Sequence, residues 1–243
     1  MIPKTIHYCW FGRNPLPASA VKCIDSWRRL LPQYQIKEWN EDNFDVGINK
    51  YVQDAYGAKK YAFVSDFARF WIIYNYGGVY FDVDVEVVRP IDDIVEKGPF
   101  WGLENDAGSS PLVAAGLGIG AEAKDPVYKE IMERYNSMNF FEEDGSISKF
   151  SMNPMISELF ISRGLKGNGT VENVGGHYFY PRDYFNPLDY FTGRLRKTEN
   201  TRSIHWFMAS WLPEPKWKKK AKQLFHRILG VKLSQRIKKR LSI

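Results

Sequence analysis

A chain of 243 residues, 44% hydrophobic and 26% charged, has the length and composition of one globular domain with a sizeable core. Its two cysteines, Cys9 and Cys23, exclude a disulfide framework and lack metal-site spacing, and no apolar run reaches the roughly 18 residues of a membrane-spanning helix. The net charge of +6 conceals a division: residues 216–243 hold 11 of the 34 Lys and Arg and no acid, while the other 215 residues carry 23 basic against 28 acidic side chains.

The N-terminal "MIPKTIHYCWFG" lacks a charged segment followed by an apolar run, so no signal peptide is expected, and the cysteine count fits a reducing compartment. "KTIHYCWFG" predicts a first strand ended by Gly12 and the "NPLP" turn. Residues 17–31 predict a helix with Val21, Ile24, Trp27 and Leu31 on its apolar face. "YQIKEWNEDNF" predicts a second strand running into an acidic loop, and strand–helix–strand at this spacing opens an α/β fold with a parallel sheet. "YAFVSDFARFWIIYNYGG" is the strongest helix, stopped by Gly77 and Gly78, with Asp66 and Arg69 three apart on one face. "PFWGLEND" predicts a strand, and the Gly- and Ala-rich stretch 104–123 a loop that is mobile or close to a ligand. Helices follow over 125–138 and 153–164, then an irregular aromatic segment over 171–187 and a late strand and loop over 202–211.

The stretch "VYFDVDVEVVRP" poses the central problem. As one strand it would place Tyr80, Asp82, Asp84 and Glu86 on one face, with Val83, Val85 and Val87 on the other. Carboxylates crowded on one face repel each other and lose hydration if buried, so the face requires water or a positive partner. A hard divalent cation is such a partner, because it binds carboxylate oxygens and accepts substrate phosphates as its remaining ligands. A solvated face is the competing reading of an Asp-x-Asp taken alone.

"SDFARFWIIYNYGGVYFDVDVEVVRP" resembles the core signature of glycosyltransferase family 32, through Ser65, Asp66, Arg69, Tyr74, Gly77, Gly78, Tyr80, Asp82 and Asp84. The opening "IPKTIHYCWFG" and the late "HWFMASW" resemble the family's first strand and terminal motif, so three blocks in order span Met1 to Trp211. The resemblance implies an α/β fold of GT-A (Rossmann-like) type over residues 1–213, with a mainly parallel central sheet and a bound nucleotide-sugar. It implies that Asp84 is the main metal ligand, with Asp82 and His205 beside it, for Mn²⁺ or Mg²⁺. Asp82 would also contact the ribose or donor sugar, and Asp66 and Arg69 would hold donor sugar hydroxyls. His7 and Trp10 would line the base site, Tyr80 would belong to the nucleotide-sugar site, and Ser210 and Trp211 would close over the diphosphate. Read as residues alone, Asp66–Arg69 is also a plain helix salt bridge, His205 a satisfied histidine, and Trp10 and Trp211 core side chains. Glu86 is expected to be a supporting or solvated group.

The activity so implied is retaining, metal-dependent transfer of a sugar from a nucleotide-sugar, a UDP-sugar foremost, to a growing and lipid-linked saccharide of the cell surface, such as a capsular polysaccharide. No carboxylate is marked as a nucleophile; Glu104, Asn105 and Asp106 follow a strand and could approach the donor. Residues 214–243 form a separate basic segment, with Leu224, Ile228, Leu233, Ile237 and Leu241 in an apolar stripe. Such a helix suits an anionic membrane surface, which places the protein at the cytoplasmic face of the membrane; docking on the protein itself is the alternative, and no nucleic acid is expected. Rival readings are another metal-dependent enzyme acting on phosphates, a toxin-like transferase modifying a protein, and a nonenzymatic module that binds polysaccharide or membrane.

Overall fold

A computed structural model describes residues 1–106, 110–148, 151–208 and 223. In chain order the elements are β1 (Thr5–Cys9), α1 (Ala18–Leu30), β2 (Gln35–Trp39), α2 (Lys50–Gly57), α3 (Tyr61–Tyr76), β3 (Gly78–Tyr80), β4 (Val85–Val87), α4 (Asp92–Val95), β5 (Phe100–Asn105), β6 (Leu112–Val113), β7 (Ile119–Ala121), α5 (Pro126–Asn136), α6 (Met152–Ser162), β8 (Glu172–Val174), β9 (His177–Tyr180), α7 (Arg182–Phe185) and β10 (Ser203–His205). The basic segment 214–243 lies outside the described residues, apart from Gln223. No helix among the described residues is long and apolar enough to cross a membrane.

The main sheet has the order β2-β1-β3-β7-β5-β9-β8, with β6 added to β5. Pairs β1–β2, β1–β3 and β5–β9 are parallel, whereas β7 is antiparallel to both β3 and β5. Five strands (β1, β2, β3, β5, β9) therefore point one way, and their carboxyl ends share one edge, where open α/β sheets bind ligands. This is the mainly parallel α/β sheet that the sequence predicts. A two-stranded ribbon, β4–β10, stands apart from it.

Local chemistry explains the elements. In α1 the buried positions are Ala20, Cys23, Ile24, Ser26 and Trp27, of which the four apolar ones form one stripe at helical spacing; Val21, expected on that face, is exposed. Trp27 anchors the helix by donating its indole N–H to the Val85 carbonyl, 2.7 Å away. Asn49, accepting from the Val52 N–H, caps α2, an element the sequence reading did not find. Helix α3 passes into β3 without a loop. Gly77 and Gly78 allow it with φ of 65° and 99°, and a side chain on Gly78 would sit 2.7 Å from the Thr5 carbonyl oxygen.

Three expectations change. The predicted carboxylate strand is two short strands, β3 and β4, in different sheets, with a turn over Val83–Asp84. A straight strand would hold Asp82 and Asp84 about 6.6 Å apart at roughly 3.3 Å per residue, too splayed to converge. The Gly- and Ala-rich stretch contains β6 and β7, and the aromatic segment contains β8, β9 and α7.

His7, expected to line a base site, instead sits inside the sheet. It is buried, its Nε2 donates to the Gly77 carbonyl at 3.0 Å, and its Nδ1 accepts from the Trp39 indole at 3.0 Å. With both nitrogens engaged it has no polar atom to offer a base; it ties β1 to β2 and to the α3–β3 junction. Burial lowers its pKa from 6.5 to about 4 despite the Gly77 hydrogen bond. The native state therefore keeps His7 neutral while the unfolded chain takes up a proton below pH 6.5, so its contribution is complete above that pH and lost as pH falls toward 4. We predict that about 3 kcal/mol of stability is lost through this group between neutral pH and about pH 4. Urea unfolding of wild type and His7→Gln across that range should show the steeper loss in the wild type; equal slopes would assign the acid sensitivity to other groups.

Candidate metal and sugar site

The site forms where α3 and the carboxyl end of β3 meet the β4–β10 ribbon. Arg69, on α3, is buried. Its guanidinium lies 2.9 Å from Asp66 Oδ1 and 3.1 Å from Asp82 Oδ1, donates from Nε to the Ser65 carbonyl, and stacks 5.0 Å from the Tyr80 ring centroid. Tyr80, also buried, donates its hydroxyl to Asp82 Oδ1 at 3.0 Å. One carboxylate oxygen thus accepts from two fixed donors. Burial opposes the charge on Arg69, but Asp82 first, then Tyr80 and Asp66, hold it firmly protonated. Asp66 is pushed up to about 6 by burial, against the pull of Arg69.

Asp84 lies at the start of the ribbon. His205 Nε2 is 3.1 Å from its Oδ1, and the Met208 N–H donates to its Oδ2 at 2.8 Å. Burial works against ionisation of Asp84, but His205 and the Met208 N–H outweigh it and hold the carboxyl below its ordinary range. The reciprocal effect raises His205: burial opposes its charge, and Asp84, Asp82 and Glu104 overcome it. Ligating atoms of Asp82, Asp84 and His205 all lie within 4.8 Å of one another. Two carboxylates and an imidazole at that separation suit a divalent cation. His205 Nδ1 is buried with no partner among the described residues, a further polar atom available to a ligand.

Sequence reasoning therefore identifies Asp66, Arg69, Tyr80, Asp82, Asp84 and His205, and the structure brings these six together. Ser210 and Trp211 lie outside the described residues. Trp10 is at the carboxyl end of β1, its indole donating to the Asn14 carbonyl at 2.6 Å, beside the acidic loop after β2. Glu86 accepts from the Trp206 indole at 2.9 Å, in the supporting position expected of it.

Three neighbours were not singled out. Gly116 accepts from the Asp82 N–H at 3.1 Å, and a Cβ there would lie 2.0 Å from Asp82 Oδ2. Phe207, with φ of 48°, places its ring 4.1 Å from that of His205. Trp206 donates its backbone N–H to the Asp84 carbonyl at 3.0 Å. The glycine-rich character of 104–123 was the signal for Gly116. Phe207 and Trp206 carried none beyond their place after His205.

Residues 17–101 match the sequence profile of the family described as a glycosyltransferase sugar-binding region containing a DXD motif, which here is Asp82-Val83-Asp84. Inositol phosphoceramide mannosyltransferase 1 of Schizosaccharomyces pombe is 29% identical over 110 residues, 41% of this chain and 33% of that protein. A mannosyl phosphorylinositol ceramide synthase of Saccharomyces cerevisiae is 25% identical over 196 residues, 76% of this chain and 49% of its own length. An uncharacterized glycosyltransferase of Acanthamoeba polyphaga mimivirus is 23% identical over 76% of both chains. The chain thus spans a third to a half of the length of the two yeast relatives. Among solved structures, a glycosyltransferase involved in glycosylation of the major capsid of PBCV-1 superposes with a TM-score of 0.51 at 12% identity, covering 90% of this chain and 98% of that one. That likeness shows the fold, which is of GT-A type.

Two outcomes follow from the geometry. Arg69→Met leaves Asp66 and Asp82 facing each other without a cation, which should cost about 3–5 kcal/mol of stability in chemical denaturation. Gly116→Ala should leave the fold intact by circular dichroism but displace Asp82, weakening Mn²⁺ binding by about 10–100-fold.

Proposed function

We propose that the protein is a metal-dependent glycosyltransferase that moves a sugar from a nucleotide-sugar to a saccharide acceptor. The observation that carries this reading is the convergence of Asp82, Asp84 and His205 beside the buried Arg69, at the carboxyl edge of the sheet, with Arg69, Asp82 and Asp84 inside the segment that matches a sugar-binding family. Asp84 and His205 would hold the cation directly. Asp82, pinned by Arg69 and Tyr80, would supply its remaining oxygen to the cation or to the sugar. When bound, the cation supplies positive charge opposite the diphosphate leaving group.

The protein's own groups do the rest. Arg69 fixes Asp82 in one orientation, so the carboxylate needs no reorganisation when substrate arrives. Asp66, held on the same guanidinium and partly exposed, presents its other oxygen to a donor hydroxyl. A mixed carboxylate and imidazole set favours Mn²⁺ over Mg²⁺, which prefers oxygen alone. The transferred group is a hexose, since two relatives are named for mannosyl transfer. The acceptor is a saccharide or polyol headgroup on a lipid, as those relatives' names describe for their own acceptor, and the basic segment 216–243 would hold the protein at the cytoplasmic face of an anionic membrane. Retention of the anomeric configuration follows from the same family reading.

Calorimetric titration of UDP and GDP, with and without Mn²⁺, tests the proposal on wild type and Asp84→Asn. Metal-dependent binding of one nucleotide, weakened at least about 100-fold in the variant, is the expected result and identifies the donor's base. Equal binding with and without metal, or none, would remove the metal–diphosphate role of Asp84.

A further inference from the structure

The stretch "LDYFTGRLRK", residues 188–197, sets two aromatics before a glycine and three cations after it. The chain folds back on itself here. Leu188 and Leu195 form an antiparallel bridge, the Asp189 N–H donates to the Arg194 carbonyl at 2.9 Å, and the Arg196 N–H donates to the Pro187 carbonyl at 3.0 Å. Asp189 closes the turn: its Oδ1 accepts from the Thr192 N–H at 2.6 Å and from the Thr192 hydroxyl at 2.8 Å. Gly193, with φ of 62°, completes it.

What this loop shows to solvent is unusual. Tyr190, Phe191 and Leu195 are 37%, 46% and 40% exposed, three large apolar side chains within six residues. Single exposed apolar residues are ordinary, but a cluster marks a contact surface. Residues 190–197 carry three cations and no acid. Arg194, Arg196 and Lys197 are exposed and make no ion pair with another described residue. The loop also adjoins the site. The Phe207 ring lies 4.1 Å from that of His205 and 5.3 Å from that of Tyr190, which lies 5.4 Å from that of Phe191. A run of rings thus leads from the cluster to the exposed Phe191. Gln223, within the basic segment 214–243, donates its amide to the Tyr190 carbonyl at 3.1 Å, so that segment meets the loop.

We propose that loop 188–197 inserts into an anionic lipid bilayer, with Phe191 and Leu195 as its apolar tip, and so turns the Asp82–Asp84–His205 cluster toward the membrane surface. This inference rests on the reading that the acceptor is carried on a lipid, and it names the element that brings the site to it. Rings and an aliphatic chain beside cations match the boundary of such a bilayer. The apolar groups enter between headgroups, while guanidinium and ammonium groups stay with the lipid phosphates. A platform for stacking a sugar needs acceptors for its hydroxyls beside the rings. The carboxylate of this loop, Asp189, is already taken up by Thr192 and Arg182.

Sedimentation of the whole chain with phosphatidylcholine vesicles, with and without phosphatidylserine, tests this. The wild type should bind the vesicles that contain phosphatidylserine. Phe191→Ser should weaken that binding about tenfold, and the combined Arg194→Gln, Arg196→Gln and Lys197→Gln variant about 100-fold, with circular dichroism unchanged in both. A second measurement reads insertion itself. Cys9 and Cys23 are buried, so an NBD fluorophore can be placed on Phe191→Cys alone. It should brighten and shift to the blue on the anionic vesicles. Either variant binding as tightly as the wild type, or a fluorophore that stays in water, would leave the membrane to residues 216–243 and overturn the role of the loop. A fluorophore that responds to soluble maltohexaose and not to vesicles would overturn it in favour of a saccharide. A wild type that ignores anionic vesicles would instead bring down the lipid-acceptor reading, and the loop with it.

Discussion

Everything at the site is arranged around one buried guanidinium. Arg69 sits on α3 with almost no exposure, and it is tolerable there only because Asp66 and Asp82 supply two negative charges and Ser65 a carbonyl. The reverse also holds. Asp82 and Asp66 can stand close together only because Arg69 is between them. A buried ion network of this kind contributes little net stability compared with apolar packing. What it supplies is position: Asp82 meets Asp84 and His205 already oriented. The direct α3–β3 junction transmits this, since Gly77 and Gly78 leave no slack between the helix carrying Arg69 and the strand leading to Asp82.

The same solution appears twice away from the site. The Trp39 indole donates to His7 Nδ1, and the Trp101 indole donates to His177 Nδ1, each at 3.0 Å and each between buried partners. In both, a bulky aromatic donor satisfies an interior imidazole, and the other ring nitrogen turns to the Gly77 carbonyl or toward Asp125. The high aromatic content is spent in this way. Trp27, Trp39 and Trp101 are fully buried with their indoles satisfied, so these three of the eight tryptophans serve the core rather than a sugar-stacking surface.

What could be read from the sequence depended on whether the cause was local. The three-residue spacing of Asp66 and Arg69 implies an ion pair on any helix, and it is there. The alternation around Asp82 and Asp84 signalled a special face, and the opposing charges turned out to be Arg69 and His205. The break between β3 and β4 could not be read, because it depends on Gly116 bonding Asp82 and on β10 pairing with β4, contacts that are distant in sequence. His7 misled for the opposite reason: a histidine at the head of a strand looks functional until Trp39 is placed beside it. The family resemblance carried His205 into the site, a role that neither its spacing nor its neighbours signalled.

The separateness of the β4–β10 ribbon has a consequence for how the protein is made. Asp66, Arg69, Asp82 and Asp84 belong to the first 84 residues, but the strand that returns His205 to Asp84 is 121 positions later. On a ribosome, where chains emerge at about 5–20 residues per second, the sheet from β1 to β9 has left the exit before β10 is available. A nascent or clipped chain ending before residue 203 would contain the Arg69 network and nearly all of the core, yet lack an imidazole and the Met208 N–H on Asp84. The fold is in this way arranged so that the Asp82–Asp84–His205 cluster is completed last. A half-made copy has Asp66 and Asp82 on Arg69 but leaves Asp84 without its imidazole and amide partners.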